Sequence, residues 1–322
     1  EVVREAVQLG AELIIAHHAV MYRPIRNLRT DLPAGRLYEA LIKNDIAVYV
    51  AHTNLDTAIG GVNDVLAGAI GLKECEPLEV VHAEPLYKLV VFAPEEAADG
   101  VREAMFTAGA GWIGNYSHCS FNARGFGTYL PHEGTNPYAG EPGKLERADE
   151  IRIETIVSGQ LKRRVVQAMI KAHPYEEVAY DLYPLDMTGK EHGIGRVGKL
   201  EQPLTLEELC GRVKAAYEVP FVRLVGERSR KVTKVAVLGG SGRDFVAKAK
   251  FAGAEALITG DIDYHTALNA LADGMAVIDA GHNIEKLVKP AVAEWLGARL
   301  REAGYATKAV ASQVNTEPFQ FV

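Results

Sequence analysis

A chain of 322 residues has room for about two domains, and its 48% apolar residues are enough for a substantial buried core. The formal charge of −7, from 35 basic and 42 acidic residues without any Lys/Arg block, argues against a binder of duplex nucleic acid but not against one of a nucleotide-sized ligand. Three scattered cysteines (Cys75, Cys119, Cys210) without a CxxC argue against a disulfide framework and for a reducing, cytoplasmic setting, and no apolar run approaches a membrane span.

The chain opens on Glu1 inside a helical pattern, with Val3, Ala6, Val7 and Leu9 apolar, so further residues are expected to precede it. This helix (about 2–9) leads to a buried strand, Glu12–Ala16, which carries the run LIIA. A loop rich in Arg and Pro follows, then a helix at about 35–44, a strand at Ala47–Ala51 and a helix near Val62–Ile70. Apolar strands alternating with helices predict a mostly parallel or mixed sheet covered on both faces.

The character changes near Pro85. Tyr87–Ala93 reads as a strand, Glu95–Ala108 as a helix, Gly109–Gly143 as a Gly-rich stretch with hairpin-like pieces, and Glu150–Val157 as a strand with one exposed face. A helix at about 160–172 and a strand at Ala179–Leu185 complete a β-α-β-β-α-β order, a ferredoxin-like α+β unit. The expected organisation is therefore a discontinuous α/β domain, residues 1–85 and 187–322, interrupted by an inserted domain at 86–186. Beyond the insert the predicted elements are helix 205–217, strand Lys234–Leu238, helix 243–252, strand Ala256–Thr259, helix 264–273, strand Ala276–Asp279 and a long helix at 284–303.

Four of these strands run directly into residues able to hold a metal. LIIA precedes His17-His18, VYVA precedes His52 and Asp56, ALIT precedes Asp261, Asp263 and His265, and AVID precedes His282 and Glu285. Open α/β sheets bind ligands beyond the carboxyl ends of their strands, which brings distant residues to one rim. Within a regular strand His17 and His18 would point to opposite faces, but at a strand end, where the backbone turns, they can serve two adjacent ions. His282 and Glu285, three apart at a helix start, share a face, and Gly281 frees the turn before them. Imidazole with carboxylate suits zinc, iron, cobalt or nickel better than magnesium or calcium.

Two assignments stay open at this level. His52 reads either as a partner that holds a ligand carboxylate or water, or as a strand-end histidine bonded to backbone. Asp261 faces the metals or, like Asp263, caps a helix.

The segments IIAHHAVMYRPIRNL, VYVAHTNLDTAIGGVND, LITGDIDYHTALNAL and IDAGHNIEK resemble signature segments of the NIF-three-like family, the GTP cyclohydrolase 1 type 2 homologues. Ala19-Val20-Met21 departs from the Pro-Leu-Ile usual there, a matter of packing rather than ligation. The resemblance implies a two-metal site at His17, His18, Asp56, His282 and Glu285, with zinc first and iron, manganese, cobalt or nickel as alternatives. It also implies a toroidal homo-oligomer, a hexamer, and hydrolysis of a nucleotide-like, cyclic amide or phosphoester substrate. The segment AHPYEEVAYDLYPL (172–185) is similar to CutA proteins, so the insert resembles a CutA/PII-like domain. That likeness keeps a second reading alive, a non-enzymatic metal-handling protein or regulatory scaffold.

Other motifs carry less. His173 and Glu176 read as structural or assembly residues, and His118-Cys119 lacks partners for a ligand set. Gly239-Gly240-Ser241-Gly242 reads as a tight turn, since it matches neither GxGxxG nor a P-loop. His82, His132 and His192 are expected in exposed loops.

Overall fold

A computed structural model describes residues 1–320. Its strands in chain order are β1 (Leu13–Ala16), β2 (Ala47–Val50), β3 (Lys73–Pro94), β4 (Ser120–Tyr129), β5 (Glu146–Ser158), β6 (Tyr180–Thr205), β7 (Arg223–Val225), β8 (Lys231–Ser241), β9 (Ala256–Gly260) and β10 (Ala276–Asp279). The fold is mixed α/β. The chain forms two compact units, Glu1–Val81 with the residues from His192 onward, and His82–Glu191, and it passes between them within β3 and β6.

In the first unit the order is β6-β8-β9-β10-β7. The pairs β8–β9 and β9–β10 are parallel, while β6 and β7 add antiparallel flanks. Side-chain alternation explains why this sheet is covered on both faces. Val235, Val237, Ile258 and Ile278 enter one core with Leu66, Ile70, Leu209 and Tyr217. The residues between them, Ala236, Leu238, Leu257 and Val277, enter a second core with Val246, Ala249 and Ala270.

A separate parallel pair, β1–β2, stands in register from Leu13↔Ala47 to Ala16↔Val50. One face packs Ile14 and Val48 beside Ala6, Leu41 and Ile46, under the helices Val2–Leu9 and Pro33–Lys43. The other leaves Leu13, Ile15 and Tyr49 at 51%, 41% and 57% exposure.

In the second unit β4–β5–β3 is antiparallel. Leu89, Val91 and Ile153 pack against Val101, Met105, Val165 and Met169 of the helices Glu95–Thr107 and Lys162–Ala172.

The strands expected at 87–93 and 179–185 extend to Lys73–Pro94 and Tyr180–Thr205, so His82 and His192 lie in strands rather than loops. The short strand Arg223–Val225 was not expected; its three residues carry no periodicity, and it forms by pairing with β10. The long helix expected at 284–303 is a 3₁₀ turn, His282–Leu287, followed by an α-helix, Val288–Glu302. Pro290 has no N–H to give Lys286, so it fits only in the first α-helical turn. The helix expected at 243–252 likewise begins as 3₁₀ over Arg243–Phe245. Among the described residues no helix is long and apolar enough to cross a membrane.

Candidate metal centre

His17 and His18 follow β1 directly, and the backbone turn there brings both imidazoles to one side, with ring centroids 5.0 Å apart. His52 follows β2 and completes a cluster, 5.1 Å from the His17 ring and 5.2 Å from that of His18. Among the described residues the His52 ring makes no hydrogen bond to backbone, so its place is set by its histidine neighbours and by the strand end. Asp56 lies in the short helix Thr53–Thr57, its Oδ1 3.3 Å from His17 Nε2.

The 3₁₀ turn after β10 carries the opposing donors. Residues three apart in a 3₁₀ helix eclipse one another, and His282 Nε2 lies 3.4 Å from Glu285 Oε2. The same carboxylate oxygen is 3.0 Å from His18 Nε2 and 3.6 Å from His17 Nε2. The His282 ring is 5.1 Å from that of His18. All five residues expected to hold metal, with His52, therefore stand together.

Two hydrogen bonds orient the rings. His17 Nδ1 donates to the Ala51 carbonyl at 2.7 Å, and His282 Nδ1 donates to Asp261 Oδ2 at 2.6 Å, so in each ring Nε2 points inward. Asp261 therefore faces His282 rather than capping a helix, and the helix cap at Tyr264–Ala272 is Asp263, which accepts from His265 and Thr266 N–H. Asp261 adopts φ 56°, a left-handed conformation that costs energy for any residue with a side chain and that Asp tolerates better than most. Asp279 fixes this loop, accepting from Ile262 N–H and Gly281 N–H and pairing with Arg223.

Two residues have roles in the site that the sequence alone does not assign. Asn63 is fully buried; its Nδ2 donates to the Asp56 carbonyl at 2.8 Å and its Oδ1 accepts from Gly239 N–H at 2.9 Å. It ties the Asp56 helix to the end of β8. Gly240, at φ +68°, approaches so closely that a Cβ would sit 2.5 Å from Glu285 Oε1. Gly239 and Gly240 thus lie in the irregular end of β8 rather than in the tight turn expected, and Gly240 makes room there for a carboxylate. No local pattern signals either role, since each partner is remote in the chain.

The electrostatics follow from crowding. Burial alone would lower the His17 pKa, but the Asp56 and Glu285 carboxylates outweigh it and raise the value to about 10. Glu285, with Asp261 beside it, raises His282 to about 9 against the pull of burial. His18 is lowered, chiefly by burial. Glu285 is held down at about 2, because His17 and His282 overcome the opposing effect of burial.

Even so, His17 Nε2 and Asp56 Oδ1 are buried without a hydrogen bond, because their 3.3 Å approach is misaligned. Buried polar atoms are rarely left so, and the donor set fits divalent cations at this point. Around one tetrahedral ion, ligand atoms at the usual bond lengths stand roughly 3.4 Å from one another, and the donor separations here run from 3.0 to 3.6 Å. Two groups of three, His17/His52/Asp56 and His17/His18/Glu285, keep their ligand atoms within 4.8 Å.

Other candidate residues fall elsewhere. His173 is buried in the second unit with both ring nitrogens engaged, Nε2 by the Phe92 carbonyl and Nδ1 by Tyr175 N–H. Glu176 accepts from Asn136 N–H. His118 is exposed and bonds to its neighbour Ser117.

The family model for Duf34/NIF3 (NGG1p interacting factor 3) matches residues 1–318. A GTP cyclohydrolase 1 type 2 homolog of Halalkalibacterium halodurans is 52% identical over 321 residues, covering 100% of this chain and 86% of the relative. The Bacillus subtilis homolog of the same name is 46% identical with the same coverage. A crystal structure of a Bacillus cereus protein related to NIF3 matches at TM-score 0.94 and 48% identity, over 100% of this chain and 86% of that one. With this match along its length, and with the motif histidines and carboxylates gathered in one cluster, the chain belongs to the NIF3 family.

Proposed function

We propose that His17, His18, Asp56, His282 and Glu285 hold two divalent cations, zinc first among the candidates, and that the centre hydrolyses a nucleotide-like, cyclic amide or phosphoester substrate. The observation that carries this reading is the pair of buried polar atoms without a hydrogen bond, His17 Nε2 and Asp56 Oδ1, beside a carboxylate within 3.6 Å of three imidazole nitrogens. Glu285, whose Oε2 lies within 3.6 Å of Nε2 of His17, His18 and His282, would hold the ions together with these imidazoles. When bound, such ions supply Lewis acidity and acidify a water toward neutral pH.

The chain's own groups have separate tasks. Asp261 and the Ala51 carbonyl keep two rings in the tautomer that presents Nε2. His52 is exposed beside the cluster, within reach of a substrate. The name shared by the Halalkalibacterium halodurans and Bacillus subtilis relatives supports a purine nucleotide as the first substrate to try.

The test is a screen of purified, metal-loaded protein against GTP, other nucleotides and simple phosphoesters. Turnover that disappears in both Asp56→Ala and Glu285→Ala, with loss of bound metal, is the expected outcome. Stoichiometric metal without turnover on any of these classes would favour the non-enzymatic reading, a metal-handling or regulatory protein.

A further inference from the structure

The second unit contains a cavity of about 580 Å³, within the size range of small-ligand sites. It lies over β4 and β5 and is bordered by the loop around Pro131–Tyr138 and by the residues after the helix Lys162–Ala172. Three tyrosines, Tyr129, Tyr138 and Tyr175, line it, with ring centroids 6.4 Å (Tyr129–Tyr175) and 5.8 Å (Tyr138–Tyr175) apart. Each phenol already donates its proton, to the Ala139 carbonyl, Glu96 and Glu150 respectively. What the tyrosines still offer a ligand is their ring faces, whose π-electrons attract cations.

The charges point the same way. The two guanidiniums in the lining are engaged, Arg124 with Glu95 and Arg152 with Glu154. Three lining carboxylates, Glu150, Glu176 and Glu177, have no Lys or Arg partner among the described residues. The phenols register the resulting negative field. Burial and then Glu150 push the Tyr175 phenol strongly upward, and burial with Glu146 and Glu150 raises Tyr129. Two nearby phenylalanines already carry cations on their rings: Arg147 stacks 3.8 Å from the Phe126 centroid and Arg152 5.8 Å from that of Phe92. Among the described residues no cation sits on the rings of Tyr129, Tyr138 or Tyr175.

We propose that this cavity binds a small organic cation of the alkylammonium class, its charge resting against the rings of Tyr129, Tyr138 and Tyr175 with the Glu150 carboxylate as counter-charge. Glu150 lies directly over Gly127, where a Cβ would collide with its Oε2, so the bare backbone of β4 leaves the carboxylate room to sit in the pocket wall. This site is independent of the metal cluster, and its test does not depend on turnover or metal content.

The experiment is a ligand-observed NMR titration of the full chain with choline and, in parallel, with 3,3-dimethylbutan-1-ol, which has the same shape without the charge. Choline is expected to bind roughly tenfold more tightly, the scale of one desolvated cation–aromatic contact. Glu150→Gln and Tyr138→Leu should each weaken choline severalfold, while Tyr175→Phe, which keeps the ring, should leave it within about twofold. Equal affinity for the two probes, or no measurable binding of choline, overturns the proposal. Should a variant fail to fold, the comparison of the two probes on the parent chain decides alone.

Discussion

The metal cluster is assembled from two scaffolds of very different character. Asp261, His282 and Glu285 stand beyond β9 and β10, whose every residue is buried and whose two faces feed two separate cores. His17, His18, His52 and Asp56 stand beyond β1 and β2, a two-stranded pair with one open face and only a small core beneath it. Parallel strands are normally covered on both sides, so β1–β2 is the less secured half. The contrast teaches that the site's precision rests on cross-links between the halves rather than on equal rigidity. Glu285 is one such link, meeting His17 and His18 from the opposite scaffold. Asn63 is another, joining the Asp56 backbone to Gly239 at the end of β8.

The largest expected effect separates the scaffolds by stability. Ile258→Ala in β9 removes a fully buried side chain and should cost about 2–5 kcal/mol. Ile15→Ala in β1, already 41% exposed, should cost less than about 1 kcal/mol. Urea unfolding of metal-free protein measures both, and comparable losses would break the contrast.

Next comes Asp261→Asn, which preserves shape but weakens the hold on His282 Nδ1. Metal affinity should fall by roughly 10–100-fold, the usual scale for groups that orient a ligand. Competition with a chromophoric chelator reads this directly, and an unchanged affinity would show that the β10 turn alone orients the ring.

A smaller loss is expected for Asn63→Ala, about 1–2 kcal/mol in unfolding, because Gly239 N–H and the Asp56 carbonyl lose their buried partner. Its sharper signature is weaker metal binding in the stably folded variant. If only stability moved, the tie between the halves would be structural and nothing more.

The pH dependence supplies the finest test. With His17 raised to about 10 and His282 to about 9, both imidazoles hold protons near neutrality in metal-free protein. A metal ligand must be deprotonated, so ion binding displaces these protons. Affinity should therefore increase as pH rises from 7 toward 9, by up to about tenfold per unit for each proton displaced. Titration calorimetry in buffers of different ionisation enthalpy would detect the release; a flat profile would contradict these protonation states.

The contrast between scaffolds also marks what was legible in the sequence. β8, β9 and β10 announce themselves by short apolar runs, and each passes into polar residues at the rim. The histidine and carboxylate motifs could thus be found at strand ends, because strand, turn and ligand are contiguous. Lys73–Glu84 and Met187–Arg196 were not read as strand. Pro77, the three glycines of the second segment and the charges of both mask a pattern that pairing with neighbouring strands supplies. The roles of Asn63 and Gly240 were hidden for another reason. Their partners, Gly239 and Glu285, lie 176 residues away from Asn63 and in the turn after β10, and a lone sequence carries no trace of such a meeting. The 3₁₀ turn that aligns His282 with Glu285 looked like the start of a long helix, since apolar periodicity does not distinguish the two over one turn.

The most direct measurement is an anomalous-scattering map from crystals grown with zinc, recorded on both sides of the metal's absorption edge. Two peaks about 3.5–4 Å apart, bounded by His17, His18, Asp56, His282 and Glu285, are what this account predicts. A map without a peak there, or with zinc held only by other residues, would contradict it.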